Sequence, residues 1–260
     1  MRVKMTTGEG NEAAETGNHA VRVGCAGWSI PARYAHEFET LGSHLKRYSQ
    51  IFNCCEINSS FRRNHKFVTW QRWAASAPYN FRFSVKVPRT ITHDAKLKCA
   101  PELLTDFLHQ VGYLGGKLGP LLVQTPPSLV FEIGAVSKFF SLLRQHYSGD
   151  VVCEPRHSTW FVERAEQCLQ EFRVARAASD PACVPKAAEP GGFQGLAYFR
   201  LHGSPRPYYS RYPEEFVKQI ANRLEKLLRV WCIFDNTAAG WAFENALQLT
   251  KELGLGGKPQ

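Results

Sequence analysis

Nowhere in this 260-residue sequence does an apolar run approach the ~18 residues that a membrane-spanning helix needs. The longest apolar stretches are interrupted by Gly, Pro or charge within a few positions, so no membrane partner is expected. The first twenty residues lack the continuous apolar centre of a secretory signal, and a cytoplasmic location is the expectation. Eight cysteines are present, yet no C-x-x-C pair and no compact framework. That excludes a zinc ribbon and reads as reduced, mostly buried thiols. H-x-H and H-E-x-x-H are absent as well, which removes the strongest local signatures of a metal centre. Gly24-Cys25-Ala26-Gly27-Trp28 contains glycines, but not at the spacing of a dinucleotide fingerprint, and no acidic partner follows.

What is present is ordinary globular material, 44% hydrophobic and 21% charged, enough for a sizeable core. The net charge of +9 hints at an anionic partner, a phosphorylated ligand or a nucleic acid. The 32 basic residues are scattered, however, so an ordinary basic surface accounts for the charge equally well.

Short β-branched or aromatic runs alternate with amphipathic stretches. Strands are expected at Val21–Trp28, Cys54–Phe61, Arg82–Pro88, Pro120–Pro126, Val151–His157, Val174–Asp180, Leu196–Gly203 and Arg229–Thr237. Helices are expected at Gly42–Asn53, Lys66–Ala77, Glu102–Lys117, Ala135–Tyr147, Phe161–Phe172, Pro213–Leu228 and Trp241–Leu253. Between Asp180 and Leu196 the chain offers Pro181, Pro185, Pro190, Gly191 and Gly192, the composition of a loop. The pattern predicts an α/β fold, a single TIM-type (β/α)8 barrel over residues 21–255 with one helical repeat replaced by a Pro/Gly-rich loop. Residues 1–20 are expected to be a disordered tail and 256–260 a flexible one.

Nearly every expected strand starts apolar and ends polar. The ends carry Glu56 and Asn58, Lys86, Gln124, Glu154 with Arg156 and His157, Asp180, Arg200 with His202, and Asp235 with Asn236. In a barrel these ends share one face, the face on which active sites form. The strand period of two places Glu56 with Asn58, Glu154 with Arg156, and Arg200 with His202. For any single residue a structural ion pair explains its charge as well as a ligand does. For the whole set a ligand site is the better explanation, because buried unpaired ions cost several kcal/mol each.

Several of these segments form motifs. Glu56-Ile57-Asn58-Ser59-Ser60-Phe61, Phe83-Ser84-Val85-Lys86-Val87-Pro88 and Ile91-Thr92-His93 come first. Gln124-Thr125-Pro126-Pro127-Ser128, Glu154-Pro155-Arg156-His157-Ser158-Thr159-Trp160, Arg200-Leu201-His202-Gly203 with Tyr212, and Phe234-Asp235-Asn236-Thr237 follow in order. Together they resemble the YecE-like family, catalogued as domain of unknown function 72. The resemblance implies a TIM-type barrel and no particular reaction. Arg62 stands where the family usually has Tyr, and Asp235 where Asn is common, so the rim here is more charged.

Three chemistries suit these residues. In the first, an anionic ligand bound by Lys86, Arg156 and Arg200 undergoes hydrolytic or acid–base chemistry. Glu56 and Glu154 serve there as acid and base, with His157 and His202 as proton shuttles and Asn58, Gln124, Asp235 and Asn236 as further ligand contacts. In the second, Glu56, Glu154, His157, Asp180, His202 and Asp235 hold Zn or Mn for endonuclease-like action on DNA. In the third, the chain is a non-catalytic nucleic-acid-binding module. There Trp28, Phe61, Trp160, Tyr208, Tyr209 and Tyr212 are exposed stacking surfaces beside Arg62, Arg63, Arg206 and Arg211. The segments Pro181–Gly192 and Ser204–Tyr212 are expected to cover the site as lids.

Overall fold

The computed structural model describes residues 20–38 and 42–255. The predicted tails at 1–20 and 256–260 lie outside it, except that Ala20 opens the first strand. Strands alternate with helices along the chain. The order is β1 Ala20–Cys25, α1 His44–Tyr48, β2 Cys54–Ile57, α2 Phe67–Ser76, β3 Arg82–Lys86, α3 Pro101–Gly112, β4 Leu118–Gln124 and α4 Ile133–His146. Then come β5 Val151–Glu154, α5 Glu163–Glu171, β6 Val174–Arg176, β7 Ala178–Asp180, β8 Gly191–Gly192 and β9 Ala197–Leu201. The chain finishes with α6 Glu214–Leu224, β10 Arg229–Phe234 and α7 Trp241–Glu252. No helix among the described residues is long and apolar enough to cross a membrane.

The helices follow their local chemistry. Pro101 opens α3 where its missing N–H costs nothing, Glu102 favours the N-terminus, and Leu104, Phe107 and Val111 form its buried stripe. Pro213 caps α6, with Glu214 and Glu215 in the first turn. α1 is only five residues long, far shorter than the expected Gly42–Asn53.

The strands pair in parallel, with one exception, in the orders β1-β10-β9-β7 and β2-β3-β4-β5-β6-β8. Residues 174–180, expected as one strand, are split at Ala177. β6 pairs with β5, and β7 pairs with β9, so this stretch passes from one sheet to the other. At the opposite edges Ala26 bridges Glu56, and the Gly27 amide donates to the Glu56 carbonyl at 2.9 Å. Gly24 permits that approach: a Cβ there would lie 2.1 Å from the Cys54 carbonyl oxygen. β8, the antiparallel exception, pairs with β6.

The strand period of two sorts the core into two clusters. Cys55, Ile57, Phe83, Val85, Leu121, Val123, Phe199, Leu201 and Phe234 belong to a large cluster that includes the apolar faces of the helices. Cys54, Leu122, Val152, Ala175, Ala177, Tyr198, Trp231 and Ile233 form a second, smaller one on the other face of the sheets. Along that second face the residues that follow toward the strand ends are Glu56, Gln124, Glu154, Arg200 and Asp235, all buried. The change from apolar to charged therefore occurs within single strands.

The Pro181–Gly192 segment is not a lid over this charged face. The outward-facing Arg176 donates to Glu166 of α5 at 2.6 Å and to the carbonyls of Lys186 and Glu189, while the Gly192 amide donates to Glu166. These bonds tie the segment against α5 and β6, with a 3-10 turn at Pro185–Ala188 in the place of a helix.

Candidate functional site

Arg200 lies at the centre of a buried charge network. On β9 and just past its end the inward series is Tyr198, Arg200 and His202, and Arg200 is fully buried. Its guanidinium donates to Glu56 through Nη2 at 2.6 Å and through Nε at 3.0–3.1 Å. It also donates to Glu154 at 2.9 Å and to Asp235 at 3.0 Å. One arginine from β9 thus holds carboxylates from β2 and β5 and from the end of β10. Tyr198 donates to Glu56 at 2.8 Å and contacts Ser84 Oγ at 2.9 Å. Gln124 donates to Glu154 at 3.1 Å, and Arg156 Nη2 forms an ion pair with it at 2.6 Å.

Burial alone would raise the Glu154 carboxyl, but Arg156, Arg200 and His202 outweigh it and hold the group well below the usual carboxylate range. Asp235 is lowered in the same way, burial being opposed chiefly by Arg200 and His202. A depressed carboxylate contributes stability above its unfolded pKa and loses that contribution as the pH falls through its folded value. We therefore expect urea midpoints insensitive to these two groups down to about pH 4.5, the ordinary value for Glu, and a steep decline below it. A denaturation series at pH 3–7 on wild type and Glu154→Gln checks this, because the variant loses the Glu154 share of the acid slope. An equal slope in both proteins would show that Glu154 is not held ionised.

His202 sits between acids of opposite sides. Nδ1 is 3.0 Å from Asp235 Oδ2, and Nε2 is 2.8 Å from Glu154 Oε1. Nε2 also lies 2.6 Å from Arg156 Nη2, which can only donate. A neutral ring with its proton on Nδ1 satisfies Asp235 and accepts from Arg156. The doubly protonated ring satisfies Asp235 and Glu154 instead. The site therefore contains a proton position with two alternative sets of partners.

Lys86 differs from its neighbours. Its side chain is buried, and its ammonium lies 4.3 Å from the centre of the Phe61 ring. Among the described residues it makes no ion pair or side-chain hydrogen bond. Burial, then the charge of Arg200, brings its pKa down from 10.5 to about 8 despite the acids nearby. Two polar atoms on this face are buried without partners: Arg156 Nε, on a side chain 21% exposed, and Asn58 Oδ1. The Asn58 amide nitrogen points to Asp235 Oδ1 at 3.4 Å.

Of the residues expected at the site, Glu56, Asn58, Lys86, Gln124, Glu154, Arg156, Arg200, His202 and Asp235 are brought together. Three others go elsewhere. His157 turns away and caps its own 3-10 turn through the Thr159 amide and hydroxyl. Asn236, on the opposite face from Asp235, binds the Ser210 carbonyl and Asn245. Asp180 accepts from the Tyr212 hydroxyl at 2.7 Å. The proposed metal set is thereby divided, and no group of three His, Cys, Asp or Glu among the described residues could hold a metal ion. Trp160 and Tyr212, expected as exposed stacking surfaces, are buried, and Trp28 packs edge-on against Trp73 and Phe83. Tyr208 and Tyr209 are exposed as expected, and Tyr208 stands edge-on to His202 with its amide on the His202 carbonyl. Tyr198 and Ser84 were missed, although the period that paired Arg200 with His202 and singled out Lys86 passes through both.

A cavity of about 500 Å³ opens beside this network at the ends of β1 and β10, lined by Cys25, Ala26, Gly27, Thr237 and Ala239 among others. None of the network side chains forms its wall.

Residues 22–260 match the family described as "Protein of unknown function DUF72". The chain belongs to the DUF72 family. It is 30% identical over 149 residues to UPF0759 protein YecE of Escherichia coli (strain K12), covering 56% of this chain and 52% of that protein. The chain thus matches about half the length of that relative. The crystal structure of a DUF72 family protein from Enterococcus faecalis V583 aligns with TM-score 0.76 at 21% identity, over 92% of this chain and 98% of that one. Another, from Thermotoga maritima MSB8, aligns with TM-score 0.74 at 24% identity, over 91% and 100%. Both similarities concern the fold alone. Within this DUF72 chain, the network around Arg200 joins residues of six of the sequence motifs.

Proposed function

We propose that this DUF72 protein forms one (β/α)8 barrel domain whose strand ends bind a small anionic ligand through Lys86 and Arg156. Closure of the sheets is supported by the passage of residues 174–180 between them and by the Ala26–Glu56 bridge at the other edges. The observation that carries the ligand reading is the Lys86 ammonium, at the end of a buried side chain beside acids yet bonded to none of them. A largely desolvated charge without an ion-pair partner is costly, and a phosphate or carboxylate would supply one. Arg200 is not free for this role, because three carboxylates already occupy it. Bound ligand would lie close to His202, whose alternative proton positions suit acid–base or hydrolytic chemistry.

A second reading, nucleic-acid binding, draws on the exposed Tyr208 and Tyr209 and on Arg206, which stacks on Tyr209 at 4.1 Å. One experiment separates the two. Inorganic phosphate and acetate are titrated into wild type and Lys86→Met, followed by NMR shifts of the strand-end amides, alongside a short single-stranded DNA. Saturable anion shifts lost in Lys86→Met support the proposal. DNA affinity that falls steeply with salt and ignores Lys86→Met, with no anion shifts, overturns it in favour of the second reading.

A further inference from the structure

The unpartnered atoms on this face are of two kinds. Arg156 Nε is a buried donor without a partner, and the Lys86 ammonium, at the end of a buried side chain, makes no ion pair or hydrogen bond; an anionic group answers both. Asn58 Oδ1 is an acceptor, which an anion would repel. Its orientation is fixed by Asp235: the amide nitrogen must face that carboxylate, because the reverse would set oxygen against oxygen. The other Asp235 oxygen is engaged by Arg200 and His202, which holds the carboxylate in place. Asn58 and Lys86 share a neighbour in Asp235: the Asn58 amide donates to its Oδ1, and its charge is among those that act on the Lys86 ammonium. A ligand whose anionic group meets Lys86 therefore passes the Asn58 carbonyl.

We infer that the ligand of this site carries a hydroxyl beside its anionic group, the anion meeting Lys86 and Arg156 and the hydroxyl donating to Asn58 Oδ1. The substrate class is then a hydroxylated carboxylate or the phosphate ester of a polyol. This rests on the anion-binding reading above and narrows it. A buried acceptor left unsatisfied is costly enough that supplying its donor strengthens binding by about tenfold or more.

The test compares matched probes by calorimetry or NMR titration. Acetate is paired with glycolate, and methyl phosphate with glycerol phosphate. The expected result is about tenfold tighter binding of the hydroxylated member in at least one pair, and that pair distinguishes a carboxylate from a phosphate ligand. In Asn58→Leu the ratio should fall to near one. If that variant does not fold, Asn58→Ser, which shortens the acceptor's reach, should do the same. Plain and hydroxylated anions bound equally by wild type would overturn the inference and leave the anion reading standing. A preference for the hydroxylated probe that persists in both variants would also overturn it, by moving the hydroxyl contact away from Asn58. Failure of every probe to bind would remove the anion reading and this inference together.

Discussion

Replacing Arg200 with methionine is expected to destabilise the protein by at least 3–5 kcal/mol, the cost of breaking a buried ion pair from one side, as an order of magnitude. The reason is arithmetic of charge. Arg200 is fully buried and donates to Glu56, Glu154 and Asp235. Its removal leaves three buried carboxylates with only Lys86 and Arg156 to balance them. Since native domains are stable by about 5–15 kcal/mol, the variant should unfold at much lower urea or fail to accumulate. Adding Glu56→Gln to Arg200→Met should restore part of the loss, because the amide removes one stranded charge and still accepts from Tyr198. If the double variant were no more stable than the single, lost packing rather than unpaired charge would be the cause.

Lys86→Met should act in the opposite direction. At pH 7 the folded protein holds an ammonium whose pKa has been brought from 10.5 down to about 8, chiefly by burial. Each unit corresponds to about 1.4 kcal/mol, so the variant should gain stability on the order of 3 kcal/mol while losing the anion. The dependence on pH has a definite sign. Below about 8 the charge is carried in both states, and the penalty on the fold is complete. From about 8 to 10.5 the folded state releases its proton first, so the penalty fades as the pH rises. The difference between variant and wild type should therefore be large at pH 7 and less than half as large at pH 10, read as urea midpoints. A destabilised Lys86→Met would mean that the ammonium supports the fold and is not held for a ligand. Stability given up at a site is the usual accompaniment of function there.

Much of this architecture was legible because strands report themselves twice. Val151–His157 is apolar at its start and charged at its end, and its period of two places Glu154 and Arg156 together. Arg200 and His202 were paired on the same grounds. Where the reading went astray, the strand had already ended. His157 follows the β5 segment by three residues, and Asn236 lies one step beyond Asp235 and faces the other way. Alternation does not survive a turn, so His157 could not be aimed from sequence, whereas the period of two itself points Asn236 to the face opposite Asp235. Trp160 and Tyr212 were misjudged for a related reason. Each has a polar atom that suggests exposure, but the Trp160 indole donates to the Leu129 carbonyl and the Tyr212 hydroxyl to Asp180, which lets both be buried. The roles within the charged set were the least legible part. Only side-chain distances reveal that Arg200 is fully engaged and that Lys86 is not.

The most direct test of the account is the titration of Lys86 itself. Lysine-labelled protein, with the Lys86 side-chain resonance assigned by its loss in Lys86→Met, would be followed from pH 6 to 11 with and without saturating phosphate. The account predicts a midpoint near 8 in the free protein and an upward displacement when phosphate is bound, since an anion favours the ammonium. A midpoint near 10.5, unmoved by phosphate, would contradict it.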